Sequence, residues 1–156
     1  MRKCIITQGS HGDTPSSMSW LDLENTAQAE LTSEDAAHPI ESALKPGQGP
    51  GWRAAEPGRQ TIRLLFDTPL RVKRVHLVFC EEEQARTQEF LLRWSSDGRT
   101  YRDIVRQQYT FGPPANTREI EEYAVDLAGV AGLELTISPN ISGGPACASL
   151  AELRLA

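Results

Sequence analysis

The sequence predicts an all-β fold, an eight-stranded antiparallel β-sandwich of the jelly-roll type. Two observations lead to this prediction. Apolar and polar residues alternate in run after run along the chain, which is typical of strands with one buried face. No long amphipathic helix separates these runs, so parallel βαβ units are disfavoured and two antiparallel sheets packed face to face are the economical arrangement.

Each predicted strand is defined by apolar residues that share one face. These sets are Ile62, Leu64 and Phe66; Val75, Leu77 and Phe79; Phe90, Leu92 and Trp94; Tyr123, Val125 and Leu127; and Leu133, Leu135 and Ile137. Val72 is out of phase with the second set and indicates a β-bulge. The segments NTAQAELTSE and ASLAELRLA complete the strands, and HPIESAL, with a proline near its start, predicts one short helical turn.

The segment Phe90–Phe111 predicts a β-hairpin. Its two runs flank the pair Asp97-Gly98, which is favoured in turns between antiparallel strands. Its alternation follows from packing one face on the core. The hairpin is therefore interpreted as scaffold, and the functional residues are expected elsewhere.

Composition limits the domain organisation and the classes of function. The chain has 156 residues, of which 39% are hydrophobic, and this fits one domain with a sizeable core. We expect a short leading strand and a polar linker in residues 1–19 and the β-sandwich in residues 20–156. The net charge of −5 disfavours binding to nucleic acid, and no apolar run is long enough for a membrane span.

The amino terminus and the cysteines suggest a cytoplasmic protein. MRKCIITQGS has a basic start, but its apolar run is too short for a secretion signal. Cys4, Cys80 and Cys147 are odd in number and form no Cys-x-x-Cys motif, which excludes zinc ribbons and thioredoxin-type sites. Free thiols are expected, with a Cys4–Cys147 bridge as the alternative in an oxidising compartment.

Motifs of catalysis are missing from the sequence. It contains no His-Glu-x-x-His and no Gly-x-Ser-x-Gly. His11 and Asp13 lie in a polar, turn-rich stretch that offers a catalytic site no rigid support. The expectation is a protein that is not an enzyme and that carries no cofactor.

Six segments in order resemble the discoidin, or coagulation factor 5/8 type C, superfamily, which includes the family 32 carbohydrate-binding modules. They are LTSEDAAHPIESAL, GWRAA, QTIRLLFDTPLRVKRVHLVF, QEFLLRWSSDGRTYRDIV, EEYAVDLAGVAGLELTI and SLAELRL, and the resemblance covers Trp20–Ala156. It implies a galactose-binding-like jelly roll that binds glycans, phospholipids or proteins through loops at one end. Members are not themselves enzymes.

The resemblance also suggests a structural calcium ion. Members often bind it through an aspartate after the first helical turn and a glutamate on the last strand. Glu152 matches the glutamate, but Lys45 stands where the aspartate is expected. Because calcium needs several oxygen ligands and an ammonium group repels it, the usual site is doubtful.

The leading hypothesis is a non-catalytic module that recognises a carbohydrate through its loops. An exposed Trp52 could stack on a sugar ring while Arg53 hydrogen-bonds its hydroxyls, although a tryptophan here could equally close the end of the core. By the resemblance, Glu34 and Arg86 match sugar-binding positions. The two other long loops add Tyr109 and Asn140 as candidate contacts. The run Glu81–Glu83 is most simply a solvated cluster of charge.

The alternative is a protein–protein interaction domain. WRAAEPGRQTI is similar to the matching stretch in the amino-terminal domain of a DNA single-strand-break repair scaffold, which has the same fold and binds a protein. The lack of a visible secretion signal favours this alternative, since sugar-binding relatives mostly act outside the cell.

Overall fold

The computed structural model describes residues 20–45 and 49–156. These residues form eight strands and two one-turn helices. In chain order they are α1 (Leu23–Thr26), β1 (Ala27–Leu31), α2 (Glu41–Leu44), β2 (Trp52–Pro57), β3 (Gln60–Cys80), β4 (Arg86–Ser95), β5 (Arg102–Phe111), β6 (Arg118–Ser138), β7 (Cys147–Leu150) and β8 (Glu152–Leu155). The predicted leading strand and linker, together with Cys4, lie outside the described residues.

The two longest strands, β3 and β6, pair antiparallel and take part in both layers of the sandwich. The first half of β3 lies between β1 and the second half of β6, and β4 and β5 extend this five-stranded layer in the order β1-β3-β6-β4-β5. The second half of β3 lies between the first half of β6 and β8. Strand β2 pairs with β7, which leads into β8. The predicted antiparallel jelly-roll sandwich is confirmed.

The passage of β3 between the layers is irregular. Its register with β6 shifts between Leu65 and Leu70, again before Val72, and again before Arg74. Such irregularities bend a strand and increase its twist, and here they let one strand serve two sheets. The bulge predicted from the phase of Val72 is therefore confirmed.

The core lies between the two layers and consists of the predicted inward faces. Buried members of these faces are Ile62, Leu64, Phe66, Val75, Leu77, Phe79, Phe90, Leu92, Leu133, Leu135 and Ile137. The rings of Phe79 and Phe90, from different layers, stack with centroids 5.2 Å apart. Tyr123, Val125, Leu127 and Trp94 are only partly buried and pack against this core.

Strands β4 and β5 form the predicted hairpin. Its turn is held by Asp97, whose Oδ1 accepts hydrogen bonds of 2.8 Å from the backbone amides of Arg99 and Thr100. These two bonds, with one from the Ser95 hydroxyl, lower the pKa of Asp97 to about 2. Gly98 follows at φ +76°, a conformation that glycine adopts without strain.

The helices are short and support the ends of the sandwich. The predicted turn in HPIESAL is present as α2, which buries Ala43 and Leu44 against the core. Among the described residues, no helix has the length and apolar character that a membrane crossing requires.

The structure decides between the two interpretations of Trp52. This residue begins β2, is only 1% exposed and belongs to the core, so it does not present an open ring for stacking. Trp94, by contrast, is half-buried at the end of β4, and the Arg102 guanidinium lies 5.8 Å from the centre of its ring. Trp52, rather than Trp94, is the deeply buried tryptophan.

Replacing Trp52 with alanine should therefore lower the free energy of unfolding by about 3–5 kcal/mol, because it leaves a large cavity in the core. Trp94→Ala removes a ring that is partly exposed to solvent, so it should lower the free energy of unfolding clearly less than Trp52→Ala does. Denaturant unfolding of both variants measures the difference. An equal loss for the two variants, or a larger loss for Trp94→Ala, would contradict this assignment.

Candidate functional site

A polar cavity of about 310 Å³ lies at the end of the sandwich where β2 begins and β3 ends. We call it the loop-end pocket. Its lining residues are His38, Pro50, Trp52, Arg53, Cys80, Glu81, Glu82, Glu83, Ser149 and Ala151. The cavity is within the size range of small-molecule sites, which is roughly 300–1,000 Å³.

Arg53 and His38 face the pocket because the loop after β1 is joined to β2 by main-chain bonds. The amide of Asp35 donates to the carbonyl of Arg53 at 2.9 Å, and the amide of Arg53 donates to the carbonyl of His38 at 3.1 Å. The His38 ring is oriented by Asp35, whose Oδ2 lies 2.9 Å from Nδ1. This hydrogen bond is the main reason that the pKa of Asp35 is lowered. When Nδ1 carries the proton, Nε2 of the neutral ring is a hydrogen-bond acceptor.

Trp52 closes the pocket on the core side. It follows Gly51, whose φ is +90° and where a Cβ atom would lie 2.5 Å from the Leu150 carbonyl oxygen. Only glycine lets the chain approach β7 this closely before β2 begins. The indole Nε1 is buried and has no hydrogen-bond partner within the described part of the chain.

The turn after β3 forms the acidic wall of the pocket, and Glu81 fixes its shape. Oε2 of Glu81 accepts from the backbone amides of Glu83 at 2.9 Å and Gln84 at 3.2 Å, and Oε1 accepts from Nε of Arg86 at 2.6 Å. Burial by itself would raise the pKa of Glu81, but these hydrogen bonds outweigh it and hold the pKa below its usual value. Glu82 and Glu83 are exposed at the rim.

Arg86 lies beneath this wall and not in the pocket. Its side chain is 1% exposed, and Nη1 donates to the Pro139 carbonyl at 2.7 Å and to the Gln88 side chain at 3.2 Å. The guanidinium also lies 4.8 Å from the centre of the Phe111 ring. Arg86 was expected to contact a ligand, but the structure places it where it supports the loops around the pocket.

The structure places some of the predicted contact residues in the loop-end pocket and others outside it. Of the predicted contacts, Trp52 and Arg53 line the loop-end pocket, and Glu34, Tyr109 and Asn140 do not. Glu34 is exposed on the loop before α2, and its carboxylate accepts a hydrogen bond of 2.8 Å from the Ile40 amide.

Tyr109 and Asn140 also make local structural contacts. The Tyr109 hydroxyl donates to the Arg118 carbonyl at 3.2 Å, which joins β5 to the start of β6. Asn140 Oδ1 accepts from the Ser142 amide at 3.1 Å, a bond within its own loop. Direct contact between these side chains and a ligand stays a prediction for which the pocket geometry offers no support.

The sequence alone indicates no binding role for His38 or Ser149. His38 precedes a proline in a polar loop, and nothing local shows that this loop pairs with β2. Ser149 stands directly opposite Arg53 on β7. That register follows only from the pairing of β2 with β7, which are distant in sequence.

The described residues do not fit the structural calcium that the resemblance suggests. Arg154, which is 5% exposed, donates from Nη1 to the Ala43 carbonyl at 3.2 Å, and its Nη2 lies 3.3 Å from Glu152. The ammonium of Lys45 lies 3.1 Å from Glu24. No cluster of three or more potential metal-binding side chains occurs in residues 20–45 and 49–156. Two side-chain cations therefore occupy this region, and Glu152 faces a guanidinium.

A second acidic group lies deeper, beyond Arg86. Glu119 is 2% exposed, and its Oε1 accepts from Nε2 of Gln88 at 3.1 Å. Burial, followed by the neighbouring carboxyl group of Glu121, raises the pKa of Glu119 to about 9. Glu119 is therefore protonated at neutral pH, and the polar network behind the pocket contains a neutral acid.

Comparison with known proteins identifies the fold. No family model matches the sequence, and no curated protein matches it. Among solved structures, a family 32 carbohydrate-binding module from C. perfringens NanJ, in complex with galactose, is 14% identical with a TM-score of 0.63, over 86% of this chain and 96% of that one. A family 32 module from a family 31 glycoside hydrolase of Clostridium perfringens is 16% identical with a TM-score of 0.66, over 90% and 96%.

A third neighbour binds an acidic sugar. It is the family 32 module of AlyQ in complex with 4,5-unsaturated mannuronic acid, 16% identical with a TM-score of 0.61, over 84% of this chain and 95% of that one. The chain has the galactose-binding-like fold of these modules. Identities this low establish the fold and leave the ligand open.

The raised pKa of Glu119 predicts how stability depends on pH. Between its ordinary pKa of 4.5 and about 9, the folded protein holds a proton on Glu119 that the unfolded chain has released, so this group makes the fold less stable as the pH rises. Glu119→Gln keeps an acceptor for Gln88 and carries no charge. The difference in melting temperature between the variant and the original protein should therefore shift in favour of the variant as the pH rises from 5 to 9.

The matched control is Glu56→Gln, which removes an exposed carboxylate in β2. Melting curves of the three proteins across this pH range provide the measurement. A constant difference between Glu119→Gln and the original protein at all pH values would show that Glu119 is ionised in the fold.

Proposed function

We propose that the protein is a non-catalytic carbohydrate-binding module that holds a neutral, hydroxyl-rich sugar in the loop-end pocket. The observation that carries the proposal is the arrangement of Arg53, His38 and the acidic turn around one cavity of about 310 Å³. Donors and acceptors thus converge on one small space. The fold shared with family 32 modules supports the proposal, since neighbours with this fold are complexes with sugars.

The chemistry of the pocket suits hydroxyl groups. A sugar hydroxyl both donates and accepts, so it pairs with the Arg53 guanidinium on one side and with a carboxylate of Glu82 or Glu83 on the other. Neither Arg53 nor these glutamates forms an ion pair within the described residues, and their groups are available to a ligand.

A neutral ligand fits the charges better than an acidic one. Glu81 is already paired with Arg86, and the charges that remain around the pocket are two glutamates, Glu82 and Glu83, against Arg53. An anionic sugar would meet net repulsion from this wall, whereas a neutral sugar uses the same carboxylates as hydrogen-bond acceptors.

Other features of the pocket support a binding role without catalysis. Glu81 is held in its ionised form by Arg86 and two amides, so it is a poor general acid. Burial raises the pKa of the Cys80 thiol, which is the opposite of what an activated nucleophile requires. Strand residue Ser149 makes no hydrogen bond to His38 among the described contacts.

Arg53→Ala tests the proposal. A glycan array should first identify neutral sugars that bind the original protein, with galactose-terminated glycans as the first probes, and calorimetry should then measure their affinities. Loss of the Arg53 guanidinium removes charge-assisted hydrogen bonds, and the affinity should fall about tenfold or more. Arg71→Ala is the control, because Arg71 is an exposed arginine whose partner is Asp126, away from the pocket.

Two outcomes would contradict the proposal. One is no binding of the folded protein to any glycan on a broad array, and the other is equal affinity for Arg53→Ala and the original protein. A stoichiometric protein partner that free sugars do not displace would favour the alternative interpretation as an interaction domain.

A further inference from the structure

The outer face of the five-stranded layer carries a row of charges of alternating sign. Glu30, Arg63, Glu134 and Arg93 stand in register on β1, β3, β6 and β4. Arg63 donates to Glu30 at 3.1 Å and to Glu134 at 2.7 Å, and Nε of Arg93 lies 3.3 Å from Glu134. Opposite charges at directly opposed positions stabilise a sheet. The row therefore fixes the positions of two guanidinium groups on a rigid surface.

Two adjoining cavities, of about 470 Å³ and 190 Å³, lie on this face. Arg59, Arg93, Glu134 and Thr136 line both of them, so we treat them as one depression and call it the sheet groove. Arg59 belongs to the turn between β2 and β3 and is exposed. The groove is built on central strands, which hold side chains more precisely than loops do.

The polar groups beneath this face are incompletely paired. Nε of Arg63 and the Tyr101 hydroxyl are buried and lack a hydrogen-bond partner in the described chain, and Nε of Arg93 lies near Glu134 without forming a hydrogen bond to it. The Tyr101 ring lies 5.4 Å from the Arg63 guanidinium and 5.5 Å from that of Arg93. Arg59 makes no ion pair with any described residue.

The balance of charge in the sheet groove favours an anionic ligand. The groove is lined by Arg59, Arg63, Arg93 and Arg106 and by Glu30, Glu89 and Glu134. Each of these glutamates already has an arginine partner, with Arg106 lying 3.5 Å from Glu89. One arginine is left over, although the chain as a whole carries a net charge of −5. An anion is the complement that this surface lacks.

We propose that the sheet groove is a second binding site, which takes a carboxylate-bearing oligosaccharide such as an oligouronate. Arg59 pairs with a uronate carboxylate, a geometry that the planar guanidinium favours. The hydroxyls of Thr61 and Thr136 lie 3.2 Å from each other. They can donate hydrogen bonds to the hydroxyls of the sugar rings and accept hydrogen bonds from them. The proposal goes beyond the loop-end pocket and does not depend on it.

A saccharide fits this surface better than a polypeptide. Extended peptides commonly bind by adding a strand at a sheet edge, where free backbone groups are available. The groove lies over β3 and β6, and in the five-stranded layer each of these strands is already paired on both sides. Recognition here must use side chains alone. The groove offers hydroxyl and guanidinium groups, and its one aromatic lining residue, Phe90, is 1% exposed and cannot serve as an anchor.

Calorimetry at low ionic strength with trigalacturonate and its methyl ester provides the test. The original protein should bind the acid form, and the neutral ester should bind about tenfold more weakly or worse because the pair with Arg59 is lost. Arg59→Ala should weaken binding of the acid form by a similar factor. Arg99→Ala is the matched control, since Arg99 is an exposed arginine in the β4–β5 turn that lines neither cavity. The affinity of this variant for the acid form should stay within about twofold of that of the original protein.

Arg53→Ala separates this proposal from that of the loop-end pocket. If the sheet groove binds the acid, Arg53→Ala should leave its affinity unchanged. Loss of trigalacturonate binding in Arg53→Ala but not in Arg59→Ala would place the acid in the loop-end pocket and overturn the second site. No binding of trigalacturonate, or equal binding of the acid and its ester, would overturn it as well. If trigalacturonate binding requires Arg59 and the protein binds no neutral sugar, the result would support the sheet groove and count against the proposal for the loop-end pocket.

Discussion

The buried guanidinium of Arg86 is the interaction on which the loop end of this sandwich depends. It joins three parts of the chain, because it binds Glu81 in the turn after β3, the Pro139 carbonyl after β6 and the Gln88 side chain in its own strand. Removing one partner of a buried ion pair typically costs about 3–5 kcal/mol, since the other charge is left without compensation. Glu81 in turn holds the backbone of the acidic turn. The wall of the loop-end pocket is thus fixed from inside the protein.

Charge is used in the same way elsewhere in the fold. Arg154 binds the Ala43 carbonyl and faces Glu152, and Lys45 pairs with Glu24, in the region where the resemblance suggests a calcium ion. Arg154 thus ties β8 to α2, and Lys45 ties the end of α2 to α1. On the outer face of the five-stranded layer, Arg63 and Arg93 share Glu134, whose side chain is 10% exposed. One group of ion pairs shapes the loops, and another shapes the outer face of the five-stranded layer.

The sequence predicted the fold well because strands with one buried face leave a local, two-residue pattern. The inward faces, the irregularity at Val72 and the hairpin all followed from this pattern. The expectation that Arg86 contacts a ligand was wrong, although the sequence pattern indicates its burial. Arg86 is in phase with Phe90 and Leu92 and so belongs to the inward face of β4. Trp52 and His38 could not be placed from local pattern. Their environments depend on the pairing of β2 with β7 and with the loop after β1, and those contacts join segments that are far apart or irregular.

We propose that the loop-end pocket, held in shape by Arg86, binds a neutral sugar. Titration of the isotope-labelled protein with galactose or lactose, followed by backbone amide chemical shifts, tests it most directly. We expect the shifts to change for His38, Arg53 and the Glu81–Glu83 turn, while the amides of Thr61 and Thr136 on the sheet face stay unchanged. Changes confined to the sheet face, or no change with any neutral sugar that an array identifies, would contradict it.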